Sequence, residues 1–201
     1  MGISIHQLLE KKLEGYKPGR SGRVALDWFN GVRSPLMDFN LNGLILGMNL
    51  LTKPEEIYLA LIEATAYGTR LIIDAYEEAG VAVDRLILSG GIPLKNRMLV
   101  QVYSDICNKE IQISGSSNTS ARGAVICGIA AADPSVTGFS GMKEAVEKLC
   151  RISEEVYRPI PENNVVYEKL YAEYRRLCDY FGKGANDVMK RLNAIRAEAA
   201  K

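Results

Sequence analysis

The stretch Leu86-Ile87-Leu88-Ser89-Gly90-Gly91-Ile92-Pro93-Leu94-Lys95-Asn96 limits the fold of this chain more than any other. An apolar run stops at two adjacent glycines, and a helical pattern follows. Glycine has no Cβ, so the backbone can lie close to a flat or anionic group. The first N–H groups of the following helix have no intrahelical partner and point back to the same place. Such a turn suits a nucleotide. It also serves as a plain tight connection between strand and helix. No Gly-Lys-Ser/Thr follows the glycines and no G-x-G-x-x-G surrounds them, which excludes the Walker and dinucleotide-binding readings.

The rest of the chain alternates strands with helices. Val24–Phe29, Gly43–Met48, Val83–Ser89 and Ile111–Ile113 read as strands. A first short helix is expected over Ile5–Leu13. A long helix is expected over Pro54–Ala79, opened by a capping box of Thr52 and Glu55 and closed by Gly80. Ile57, Leu61, Ala64 and Gly68 hold one of its faces at helical spacing. Lys95–Cys107 reads as the helix behind the glycine pair, with Met98, Leu99, Val102, Tyr103 and Ile106 on its buried side. Asn118-Thr119-Ser120 offers cap chemistry for Ala121–Ala132, where Gly123, Ala124, Gly128 and Ala131 predict very close packing. Helices over Met142–Cys150, Asn164–Phe181 and Ala185–Lys201 complete the chain. Tyr167, Tyr171 and Tyr174 share a helical face that reads as core. This order of elements predicts an α/β domain with a helical end.

Composition removes several function classes. The net charge of +1 gives no electrostatic case for nucleic acid or an anionic membrane, and no apolar run reaches the roughly 20 residues of a membrane span. The N-terminal residues lack the pattern of a signal peptide. The four cysteines, Cys107, Cys127, Cys150 and Cys178, form no C-x-x-C pair and read as reduced thiols of a cytoplasmic protein. His6 is the only histidine, which argues against His-based metal sites and Ser-His or Cys-His catalysis.

A second motif adds specificity. Gly43-x-Ile45-x-Gly47-Met48 is followed after seven residues by Glu56-Ile57 and then by Ala60-Leu61-Ile62-Glu63. Read alone, it is a strand entering a capped helix. Together with the glycine pair it resembles the second signature of the FGGY carbohydrate kinases, over about Ser21 to Ala132. Within that family, residues 25–34, 56–70 and 90–105 are similar to the ribulokinase branch, as are Tyr171-Ala172-Glu173-Tyr174 and Asp179-Tyr180-Phe181-Gly182.

The resemblance implies an actin-like, ribonuclease-H-like ATPase domain. Its mixed sheet would be flanked by helices, with a helical C-terminal extension. Residues 1–20 would be a helix and connector, 21–150 the ATP-binding domain and 151–201 the extension. It implies transfer of the ATP γ-phosphate to L-ribulose, giving L-ribulose 5-phosphate in arabinose breakdown. A xylulose, ribitol or glycerol kinase, or a free-standing nucleotide-binding module, remains as an alternative. ATP is the expected nucleotide, with Mg2+ held mainly through its phosphates. The sugar would reach the site through an N-terminal domain outside this chain. The family's base aspartate and phosphate loop also match no segment here, so the chain alone is expected to be inactive. Asp27 lies in a different family segment, and reads as a buried carboxylate satisfied by the Asn30-Gly31 loop.

By the same resemblance, Gly90 and Gly91 match glycines whose backbone lies against adenosine, and Asn96 matches a residue near the base. Lys95 can reach a phosphate or solvate the helix start. Arg33 can pair with the other domain or with a carboxylate inside this one. Self-association is expected at high concentration, because separation from the other domain uncovers apolar surface.

Overall fold

The computed structural model describes residues 4–116 and 118–200. Residues 1–3, which begin the expected signal-free N-terminus, lie outside the described residues. The chain divides into two compact units that interleave along the sequence. The first comprises Met1–Val83, Asp105–Asn108 and Pro159–Lys201; the second comprises Asp84–Ser104 and Lys109–Arg158.

The first unit is organised on β1 (Val24–Leu26), whose three residues are all buried. It pairs antiparallel with β2 (Leu44–Leu46), Leu26 standing opposite Leu44. Both strands are shorter than the apolar runs around them, because Asp27 and Gly47 leave the ladder. Over β1 lie α2 (Pro54–Glu78) and α8 (Pro161–Gly182). The N-terminal helix α1 (Ile5–Lys12) packs on α2, and its start is fixed by a reciprocal Ser4–Gln7 capping box.

The cap of α2 falls one residue later than the sequence predicts. Lys53 is its N-cap, and Glu56 Oε2 accepts the Lys53 N–H at 2.9 Å. Thr52 is held elsewhere, since its hydroxyl accepts the Asn49 N–H at 2.8 Å and the Arg23 guanidinium at 2.7 Å. Arg23 is buried and draws in Glu56 as well, at 3.2 Å, so a neighbouring cation decides which residue caps. Glu55, the expected partner of Thr52, faces Lys12 instead. At the other end, Gly80 takes φ +84°, donating to Glu77 O while Val81 donates to Tyr76 O. This pair of bonds is a Schellman closure, and the positive φ calls for glycine.

α2 is buried on more than one face. Leu59, Ala60, Ile62, Glu63, Ala64, Ala66, Tyr67 and Ile73 are all inaccessible, because α1, β1 and α8 each cover part of the helix. A single-stripe reading therefore understates its core face. Tyr167, Tyr171 and Tyr174 of α8 are buried as their spacing predicts, and their rings gather around Tyr67 at 5.3 to 6.3 Å. Each hydroxyl of the α8 trio finds a carboxyl group. Tyr167 donates to Glu63 at 3.1 Å, Tyr171 to Asp74 at 2.5 Å and Tyr174 to Asp27 at 3.2 Å. Asp27 is thus satisfied by Tyr174 rather than by the Asn30-Gly31 loop, and burial still pushes its carboxyl above the ordinary range.

The second unit holds the mixed sheet of β3 (Arg85–Leu88), β4 (Glu110–Ser114) and β5 (Ile152–Tyr157), in the order β3-β4-β5. β3 and β4 are parallel, whereas β5 runs antiparallel to β4. β5 occupies the segment that the sequence assigns to a helical extension. Its core is Val100, Ile111, Ile113 and Tyr157, with Leu86, Leu88, Leu99 and Tyr103 packed against it. Helices α5 (Thr119–Ala131), α6 (Pro134–Thr137) and α7 (Met142–Leu149) follow β4, and α9 (Val188–Ala199) ends the chain in the first unit.

The close packing predicted for Gly123, Ala124, Gly128 and Ala131 is absent among the described residues. All four are exposed, and Ile126 is the buried residue of α5. Small side chains allow an approach but bury too little area to drive one. α5 is tied to α7 through the Arg122 guanidinium, which donates to Leu149 O at 2.6 Å.

Burial raises the Glu63 carboxyl to about 8, with the Tyr167 hydroxyl opposing the shift. The folded state therefore prefers the neutral acid. Glu63's contribution to stability is greatest below the ordinary carboxyl value of 4.5, falls as pH rises toward about 8, and then levels. Urea midpoints measured between about pH 5 and about pH 9 should show this decline, worth a few kcal/mol. Glu63→Gln, which keeps an acceptor for Tyr167 but cannot ionise, should flatten it.

Candidate nucleotide site

The candidate residues all fall in the second unit, at the end of β3. Gly90 has φ +98° and ψ −177°, a backbone conformation open to glycine and strained for other residues. Gly91 opens α3 (Gly91–Lys95), a helix of five residues. A Cβ built on either glycine meets no atom of the described residues within 4 Å, so packing among them does not require either glycine. Gly91 and Lys95 are exposed to solvent, and Lys95 ends α3.

The helix expected over Lys95–Cys107 is broken at its beginning. α4 runs over Arg97–Cys107, and Asn96 separates it from α3 with φ −126° and ψ 90°. Asn96 is buried, and its Oδ1 accepts the Leu99 N–H at 2.8 Å. This is N-cap geometry, which explains why an Asn stands where the chain changes direction. The structure thus gives Asn96 a task in starting α4, on the same turn that carries the glycine pair. On the buried side of α4, Val102 and Ile106 are fully packed, whereas Met98, Leu99 and Tyr103 are half-buried; Val100, Ser104 and Cys107 complete the face.

Topology brings a second turn to the same edge. Because β3 and β4 are parallel, with Leu88 opposite Ile113, the residues after both strands emerge side by side. Ser89-Gly90-Gly91 leaves β3, and Gly115-Ser116 leaves β4 toward α5. Ligands of open α/β sheets bind at this C-terminal edge. Asn118, the N-cap of α5, makes no side-chain cap bond; its own N–H donates to Ser116 Oγ at 3.2 Å. The sequence signal for this second turn was the Gly115-to-Ser120 cluster of small polar residues, which reads only as cap chemistry until the parallel register is known.

Other singled-out residues belong to the first unit. Asp27 is engaged by Tyr174. Arg33 is exposed and has no ion-pair partner among the described residues. Among the described residues no group of three or more His, Cys, Asp or Glu side chains could hold a metal ion, and no helix is long and apolar enough to cross a membrane. Cys107 and Cys178 are buried free thiols, and Cys127 and Cys150 are exposed ones.

Residues 6–132 match the family described as the FGGY family of carbohydrate kinases, C-terminal domain. The chain belongs to this family. It is 52% identical to a ribulokinase of Geobacillus thermodenitrificans over 202 residues, covering 100% of this chain and 36% of that protein. A ribulokinase of Anoxybacillus flavithermus is 53% identical over 95% of this chain and 34% of its own length. The chain therefore spans about a third of the length of the curated relatives it matches. Among solved structures, a xylulose kinase from Rhodospirillum rubrum superposes with a TM-score of 0.69 at 25% identity, over 86% of this chain and 33% of that one. A Plasmodium falciparum glycerol kinase solved with ADP gives a TM-score of 0.66 at 22% identity, over 87% and 34%. These neighbours share the actin-like ATPase architecture of the FGGY kinases, as the sequence resemblance implies.

Removing the cap should test the local role of Asn96. Asn96→Ala is expected to lower unfolding stability by about 1 kcal/mol, and Asn96→Asp to recover most of it, in urea titrations followed by circular dichroism.

Proposed function

We propose that this chain is the adenine-nucleotide-binding domain of an ATP-dependent sugar kinase whose acceptor is L-ribulose. The observation that carries the nucleotide assignment is the Gly90-Gly91 turn. It is open to solvent, free of internal packing demand, and stands at the C-terminal edge of a parallel strand pair beside the start of α5. On this reading the backbone of Gly90 and Gly91 lies against adenosine. Asn96 holds α4 so that its turn frames the base, and Lys95 reaches toward the phosphates. The choice of L-ribulose is supported by ribulokinases that align with the chain at 52% and 53% identity, against 25% for the xylulose kinase.

The reaction would move the γ-phosphoryl group to a sugar hydroxyl and release ADP. The proton of that hydroxyl would go to a base in the N-terminal domain, which also supplies most sugar contacts. This chain's part is positioning and electrostatics, the main resources of phosphoryl transfer. Mg2+ would arrive on the nucleotide, where it neutralises phosphate charge. The described residues offer no dedicated cluster for it. The reading places the protein in the cytoplasm, where its four thiols stay reduced.

Calorimetric titration with MgATP tests the assignment. The chain is expected to bind, and Gly91→Val to weaken binding at least about tenfold, with its thermal transition preserved because no atom of the described residues opposes the new Cβ. Equal binding by both proteins would remove the site from this turn.

A further inference from the structure

One segment of the first unit is unusual for a water-facing surface. Between Leu46 and Leu51 four large apolar side chains are exposed. Leu46 is 54% accessible, Met48 53%, Leu50 104% and Leu51 85%. Residues 46–52 carry no charge in a chain whose charged share is 24%. Single exposed leucines are ordinary, but four in six residues form a patch of the kind that marks an interaction site.

The segment is also built to hold its shape. The Asn49 N–H donates to the Thr52 hydroxyl at 2.8 Å, the Leu51 N–H to Asn49 Oδ1 at 2.9 Å, and the Thr52 N–H to Asn49 O at 3.1 Å. Thr52 is fastened in turn by the buried Arg23, which is paired with Glu56, and Glu56 also accepts the Tyr16 hydroxyl at 2.9 Å. A chain of bonds therefore runs from the start of α2 to a turn whose tip is two solvent-facing leucines. Rigid presentation lowers the ordering cost of binding.

We propose that the Leu46–Leu51 turn is a docking surface for the N-terminal domain of the sugar kinase, which would receive Leu50 and Leu51 in an uncharged apolar hollow. The proposal rests on the kinase reading above. Two observations select this occupant. The matched family is described as a C-terminal domain, and the relatives that align with the whole chain carry about two thirds of their length elsewhere. The four exposed side chains are apolar and residues 46–52 are uncharged, which suits a lasting intramolecular contact better than a charge-steered encounter.

Thiol labelling can test this. Leu50→Cys is placed in the isolated chain and in a chimera in which the chain replaces the matching third of the Geobacillus thermodenitrificans ribulokinase. Maleimide labelling of the peptide that carries the new thiol is followed by mass spectrometry, so the native cysteines do not interfere. The chimera is expected to label at least about tenfold more slowly than the isolated chain. Equal rates would overturn the proposal. The isolated chain is labelled at a concentration where sedimentation shows it to be monomeric, so that its own association does not protect the thiol. If thermal melting shows that the chimera does not fold, the same comparison is made on the intact ribulokinase, substituted at the position aligned with Leu50. ATP-dependent phosphorylation of L-ribulose by the unsubstituted chimera is measured separately. An active chimera with an unprotected thiol leaves the kinase reading standing and sinks the docking surface. A protected but inactive one does the reverse.

Discussion

The pairing of α2 with α8 is the constraint on which the first unit rests. Neither helix could remain at β1 by apolar contact alone, because each brings polar groups into the interface: Glu63 and Tyr67 from α2, Tyr167 and Tyr174 from α8. Buried polar atoms cost about 1 to 3 kcal/mol each when unpaired. The interface answers with hydroxyl-to-carboxyl bonds at three levels, to Glu63, Asp74 and Asp27. These join residues 97 to 147 positions apart, so they specify one rotation of each helix and reject others. Arg70 completes the interface at its exposed side, lying 4.2 Å over the Tyr171 ring and bonding Glu168. The hydroxyl of Tyr67 is buried and has no partner among the described residues, which is the one place where the network is left open.

The second unit solves a different problem. On the proposed reading it presents backbone to a nucleotide while keeping its own hydrogen bonds closed. The solution lies in a short parallel pair of strands, in Gly90 with its positive φ, and in Asn96, which spends its carboxamide oxygen on the next helix. Asp105, where α4 passes into the first unit, is buried and accepts from Ile160 N–H and Asn163 Nδ2, both at 2.8 Å. α4 is thus anchored by side-chain-to-backbone bonds at each end.

Much of this was readable from the residues because periodicity and composition agree. The tyrosines of α8 repeat at helical spacing and are core; the glycine pair follows an apolar run and is a turn. The failures share a cause, which is that local pattern does not know its partner. Ile152-Ser153-Glu154-Glu155-Val156-Tyr157 is too charged to look like a strand, yet it pairs as the edge of the sheet, where charge is tolerated. Thr52 is an excellent cap in isolation and loses that role to a buried Arg23. The small residues of α5 describe what could approach the helix and say nothing of what does. At the candidate site the glycines were visible, whereas the neighbouring Gly115-Ser116 turn became relevant only through strand register.

The interleaved units bear on how the chain assembles. The second unit is almost continuous between Asp84 and Arg158, and its sheet can close on its own residues as they leave the ribosome. The first unit cannot. β1 and α2 must wait for α8, whose tyrosines arrive 104 to 147 residues after the carboxyl groups they bond, so the unit's decisive contacts are long-range and costly in loop entropy. During that interval Ala25, Leu26 and the inner face of α2 have no cover. The order of synthesis therefore makes the N-terminal third the part of the chain in greatest need of protection from aggregation, although it is among the best packed parts once folding ends.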